Sequence, residues 1–171
     1  MNSAADKSSV TKAILASWLG SLLFIGAYYL YVPTPTGLPV FTVWAAAMSI
    51  PVLCLIIGVG LAAHHRHSVS NIDGSAPDAS SRLALILRYN QNTLEQIIIF
   101  AGAAALGLAL MPELTAKLLT GMSIWFGLMR LAFYQGYKRR PILRAFGFAG
   151  TFHPSFVLFL GSLGSLILRH L

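Results

Sequence analysis

The chain has 171 residues, 56% of them hydrophobic and only 10% charged, with a mean hydropathy of +0.71. Soluble domains carry about 25% charged residues, so this composition excludes an ordinary soluble enzyme and predicts an all-α integral membrane protein. The formal charge is +7, but the basic residues flank apolar runs instead of forming one exposed stripe, which argues against nucleic acid as a partner. One cysteine, Cys54, allows no internal disulfide, and its apolar surroundings predict a small core residue.

Five apolar runs have the roughly 20-residue length of a spanning helix. They lie at about residues 13–32, 41–63, 83–110, 114–137 and 145–168. Residues 1–40 comprise a tail, the first span and the turn Pro33-Thr-Pro-Thr-Gly-Leu-Pro39; residues 41–171 hold the other four spans. Lys7 and Lys12 precede the first span as in a signal peptide, but its apolar core is long and no A-x-A site follows, so it reads as a retained helix.

The second span runs into His64-His65-Arg66-His67. Adjacent histidines point apart on a helix, and no cysteine or carboxylate lies nearby in sequence, so this tract reads as a basic loop and no metal site is expected. Segment 68–81, rich in Ser, Asn, Asp, Gly and Pro, is expected to be mobile.

The third span opens with Arg88-Tyr-Asn-Gln-Asn-Thr-Leu-Glu95. Arg88, Asn92 and Glu95 are spaced i, i+4, i+7 and form one polar stripe on a helix. Ionisable groups at membrane depth are costly unless they pair or line a water-filled site, so the stripe is a candidate binding site. Snorkelling of Arg88 and its pairing with Glu95 would be the structural alternative. Met111-Pro-Glu113 makes a tight connection, predicting that spans three and four are antiparallel neighbours. Small residues at 103–107 and 161–165 offer faces for close helix contact.

A second stripe, Arg130, Tyr134 and Tyr137, repeats the same spacing near the end of the fourth span. Arg130 lies too deep to serve only as a topology signal; a structural ion pair with Glu95 is the alternative to ligand binding. Tyr134 and Tyr137 could equally be interfacial belt residues. Pro141 ends the basic loop and Arg144 opens the fifth span, where His153 is expected to make a structural hydrogen bond. An N-terminus in the cytoplasm places nine basic residues there (Lys7, Lys12, Arg66, Arg82, Arg88, Lys138, Arg139, Arg140, Arg144) against Lys117 and Arg169 opposite. Both stripes then meet on the cytoplasmic side, in a pocket suited to a small polyanion that also carries an amine.

The two motifs resemble those of the MAPEG family, membrane-associated proteins in eicosanoid and glutathione metabolism. Arg88, Asn92, Glu95 and Phe100 match R-x-x-x-N-x-x-E-x-x-x-x-F, and the flanking N-T-L-E-Q-I-I resembles microsomal glutathione transferases. Arg130, Gln135, Gly136, Tyr137, Arg139 and Arg144 match R-x-x-x-x-Q-G-Y-x-R-x-x-x-x-R, in the manner of the leukotriene-conjugating synthase branch. The resemblance implies a MAPEG-like four-helix bundle, here with an additional N-terminal transmembrane helix, assembled as a homotrimer with glutathione between subunits.

It also implies that Arg88, Asn92, Glu95, Arg130 and Tyr137 bind glutathione and that Arg144 stabilises its thiolate. Phe133 stands where related enzymes often carry tyrosine, which makes Tyr134 the candidate substitute. Gln96 replaces an aromatic of the leukotriene branch, so that branch's lipid substrate is not carried over. The implied activity is a membrane glutathione transferase or peroxidase acting on lipophilic small molecules delivered from membrane lipid. The alternative is a non-catalytic lipid-binding member, against which the retained charge set argues. A transporter is disfavoured because internal repeats and broken helices are absent from the sequence. Lack of an endoplasmic-reticulum retention signal favours a bacterial inner membrane.

Overall fold

In the computed structural model the described residues are 3–34, 37–68 and 73–169. Each apolar run is helical: α1 (Ser3–Tyr31), α2 (Val40–Ser68), α3 (Arg82–Leu110), α4 (Pro112–Arg139) and α5 (Arg144–Leu168), with a short 3₁₀ turn at Pro141–Leu143 before α5. Helices are the expected solution, because lipid offers backbone N–H and C=O groups no partners and a helix satisfies them internally. The ends carry recognisable signals. Ser81 caps α3 by accepting the Ala84 N–H at 3.1 Å, and Pro112 occupies the first turn of α4, where its missing N–H costs nothing.

Four helices, over Asp6–Tyr31, Val40–Ser68, Arg82–Leu110 and Pro141–Leu168, are long and apolar enough to cross a membrane. The chain is therefore a multi-pass membrane protein. The expected fourth span is present as α4 and is about 42 Å long. It falls short in hydropathy because it carries Glu113, Lys117, Arg130, Lys138 and Arg139. Of these only Arg130 is buried, within a helix that packs against α1, α2, α3 and α5; the other four lie toward the ends of α4.

Helices α3, α4 and α5 pack mutually, α2 lies against α3 and α4, and α1 lies against α4 and α5. Lipid tails are as apolar as leucine, so association relies on close packing and interhelical hydrogen bonds. Both are present. Ser123 donates to the Ala47 carbonyl at 2.6 Å, Trp125 to Gly150 at 2.9 Å, and Trp44 to Ala101 at 3.2 Å. The 103–107 face brings three segments together: a Cβ on Gly107 would lie 2.8 Å from Thr115 Oγ1 and 3.1 Å from Leu158 Cδ1. On the 161–165 face, Gly161 has no such close neighbour. Cys54 is a half-buried free thiol and not a core residue, because α2 turns that face partly outward.

Gly147 sets the closest approach of α5 to α4. A Cβ there would fall 2.5 Å from the Met129 carbonyl oxygen and 2.7 Å from Phe133 Cα, both backbone atoms that cannot rotate away. Gly147→Ala is therefore expected to push the two helices apart and cost about 1–3 kcal/mol, read as a lower thermal midpoint in detergent. A midpoint equal to that of the unmodified protein would contradict this contact.

Candidate functional site

Arg88 and Asn92 from α3, Phe133 from α4, and Arg144, Phe148, Ala149 and His153 from α5 line one cleft of about 730 Å³. Asp6, Val10 and Ile14 of α1 and Pro141 and Ile142 of the preceding turn complete it. Three of the sequence-predicted site residues, Arg88, Asn92 and Arg144, thus converge. They come from two helices that each begin at the basic end of the bundle.

Arg130 has a different place from the one its motif suggests. It is fully buried (0% exposed) and does not line the cleft. One guanidinium nitrogen donates to Asn92 Oδ1 at 2.7 Å; the other donates to the Gly147 carbonyl at 2.9 Å and to Thr151 Oγ1 at 2.6 Å. The rings of Phe133 and Phe126 lie 4.9 and 5.5 Å from its Cζ, adding cation–π attraction. An ion pair with Glu95, the alternative reading of Arg130, is not what holds it. Neutral oxygens and π faces surround the charge, and Gly147 lets the α5 carbonyl come near enough to accept.

This arrangement fixes the chemistry that Asn92 offers. A guanidinium can only donate, so the Asn92 amide must turn its oxygen toward Arg130. Its NH₂ group is then left to donate elsewhere, and Asn92 lines the cleft. Arg130 accordingly sets the orientation of the Asn92 amide.

Tyr137 ties the two cleft arginines together. Its hydroxyl accepts from Arg88 Nη1 at 3.0 Å, and the Arg144 Cζ lies 5.0 Å from its ring centroid. Tyr137 is buried and does not itself line the cleft. Tyr134 is not in the cleft either. It meets Tyr89 edge-on at 5.6 Å and packs beside Ala62, Leu83 and Ile86. One residue is 100° of helix, so Phe133 occupies the cleft wall and Tyr134 is turned toward α2 and α3.

Glu95 lies outside the cleft and is exposed, accepting from Gln91 at 2.9 Å. On a helix it stands about 60° around from Asn92, on the far side of Arg88. The i, i+4, i+7 stripe therefore splits, with two members facing the cleft and the third facing outward. Phe100, the last residue of the first motif, is core and packs on Phe126 at 5.7 Å.

The α1 wall and Thr151 carry no signal in the sequence. His153 does not make the expected structural hydrogen bond through Nδ1, which has no partner among the described residues; its imidazole stacks on Trp18 at 4.6 Å. His64, His65 and His67 lie in the last turns of α2, and among the described residues no three potential metal ligands gather. Of segment 68–81, residues 69–72 lie outside the described residues, and none of the others lines the cleft.

No curated protein and no solved structure matches the chain. The sequence model of the MAPEG family matches residues 39–164, which covers α2 to α5 almost entirely and leaves α1 outside. With the match extending over most of its length, and with one polar motif on α3 and the other running from α4 to the start of α5, this chain belongs to the MAPEG family.

Proposed function

We propose that the protein is a glutathione transferase or peroxidase whose glutathione site is built on the Arg88, Asn92 and Arg144 cleft. The observation that carries this reading is the convergence of two guanidinium groups and a polarity-fixed amide donor on one cleft. Glutathione presents two carboxylates, which suit the guanidinium fork, and an ammonium, which suits a carboxylate; Asp6 is the carboxylate that lines this cleft. Family membership makes glutathione or eicosanoid chemistry the expected context.

Arg144 is the candidate catalytic residue. A thiol with pKa near 8.5 is mostly protonated at neutral pH, whereas the thiolate is the nucleophile. Arg144 opens α5, so its guanidinium sits where the helix dipole also favours negative charge. Lowering the thiol pKa by about two units requires roughly 2.7 kcal/mol of preferential thiolate stabilisation. The displaced proton leaves to solvent. The sulfur then attacks an electrophilic carbon, forming the C–S bond while the leaving group departs with its electron pair. With a hydroperoxide, sulfur instead takes the terminal hydroxyl and the alkoxide leaves to be protonated. A second glutathione reduces the resulting sulfenic acid to disulfide and water.

Glu95 supports assembly as a homotrimer. An exposed carboxylate about 20 Å along a membrane helix is costly against lipid, and a neighbouring subunit or a ligand held between subunits would relieve that cost. Charge asymmetry supports a cytoplasmic cleft, since the α2–α3 and α4–α5 connections at its end of the bundle are the basic ones.

Glutathione titration by calorimetry in lipid nanodiscs tests the binding site. Saturable binding is expected, in particles whose native mass gives three copies. Asn92→Asp should weaken binding at least tenfold, because a carboxylate beside Arg130 offers the ligand no donor. Unaltered affinity in Asn92→Asp would remove Asn92 from the site, and a particle of one copy would contradict the trimer.

A further inference from the structure

Helix α1 lies outside the family match, yet it supplies a wall of the candidate site. Asp6, Val10 and Ile14 recur every four residues, so they share one face, and all three line the same cleft as Arg88, Asn92 and Arg144. The cleft changes character along its length. At the basic end it is charged, with Asp6 facing the space that the two arginines and Asn92 also line. Farther in, Val10 and Ile14 join Phe148 and Ala149 to make an apolar lining.

His153 stands nine residues beyond Arg144, about 13 Å along α5, and marks the inner end. There the imidazole stacks on Trp18 with ring centroids 4.6 Å apart and planes inclined by 22°. This stack and the tilted contact of Phe24 with Trp125, at 5.2 Å, fasten α1 to α4 and α5. Gly20 lets the two helices come close, since a Cβ there would sit 3.1 Å from the Trp125 ring. Helix α1 is thus anchored just beyond its cleft-lining residues.

We infer that α1 forms the electrophile subsite: Val10 and Ile14, with Phe148 and Ala149, receive the apolar group that becomes bonded to the glutathione sulfur. This rests on the glutathione reading, which places the sulfur near Arg144. From there an apolar substituent can run inward, away from the charged mouth and toward the Trp18–His153 stack. The occupant it selects is a linear or flat hydrocarbon group. Each methylene removed from water adds to affinity, so longer substituents should bind more tightly until the cleft is filled.

S-alkyl glutathiones combine both parts of the product in one ligand, and S-methylglutathione and S-hexylglutathione make the comparison. Binding is measured by calorimetry to the full chain in lipid nanodiscs, with hexyl partition into empty nanodiscs subtracted. The unmodified protein is expected to bind the hexyl compound at least about tenfold more tightly than the methyl compound. Val10→Trp and Ile14→Trp should each erase that preference by filling the apolar section. Should either variant lose the methyl compound too, Ile14→Ala replaces it, with an expected threefold or greater drop in hexyl preference. Equal affinities for the two ligands in the unmodified protein, or a preference that survives all three variants, would overturn the inference while glutathione binding stood. Failure to bind either ligand would instead bring down the glutathione reading and the subsite with it.

Discussion

Arg130→Met is expected to unfold the protein more easily and to remove glutathione binding together. The substitution leaves Asn92 Oδ1 without its donor and takes two charge-assisted bonds from the α5 side, at Gly147 and Thr151. Leaving buried acceptors without their charged donor costs about 1–3 kcal/mol each, which lowers the thermal midpoint by on the order of 10 °C for a chain of this size. Binding fails because the released Asn92 amide can flip and turn its oxygen into the cleft. Arg130→Lys keeps the charge but cannot fork to three acceptors, so it should fall between the two. Thermal unfolding and glutathione calorimetry on the same preparations check both parts. If Arg130→Met kept its midpoint and lost only binding, Arg130 would be a direct ligand contact.

Arg144→Ala should separate binding from chemistry in the opposite sense. Arg144 is exposed and the fold does not depend on it, its main described contact being the face of Tyr137. Removing a group that stabilises developing or resident anionic charge costs about 10²–10³ in turnover, while Arg88 and Asn92 retain most of the affinity for glutathione. The pH profile supplies the sign. The thiolate is the reactive form, so a pocket that lowers the thiol pKa gives a rate already level near neutral pH. Without Arg144 the rate should keep climbing until about pH 8.5, the ordinary thiol value. Steady-state kinetics across pH check this. Equal losses of binding and turnover with an unshifted profile would make Arg144 an anchor.

The two motifs were legible because their polar residues interrupt apolar runs, where few non-functional explanations exist. The same logic located the five helices, the tight turn at Met111 and the basic end. Depth within the bundle was not legible. Arg88 and Arg130 hold the same place in two like-spaced stripes, yet one lines the cleft and the other is sealed behind Asn92. Spacing reports which residues share a helix face, and it does not report what that face meets. Glu95 shows the related limit, since a stripe some 60° wide can straddle the edge of a contact and leave one member outside. The choice between Phe133 and Tyr134 turns on 100° of helix rotation, which only the packing of α4 decides. The α1 wall was hidden for another reason. Its apolar residues run all round the helix, as expected for a lipid-facing span, and give no hint that α4 and α5 are its partners.

The cleft is expected to turn bound glutathione into its thiolate. The most direct measurement follows thiolate ultraviolet absorbance while glutathione is titrated into purified protein near neutral pH. A saturable signal in the unmodified protein, absent in Arg144→Ala although glutathione still binds, is the predicted result. No thiolate signal at millimolar glutathione would contradict the account.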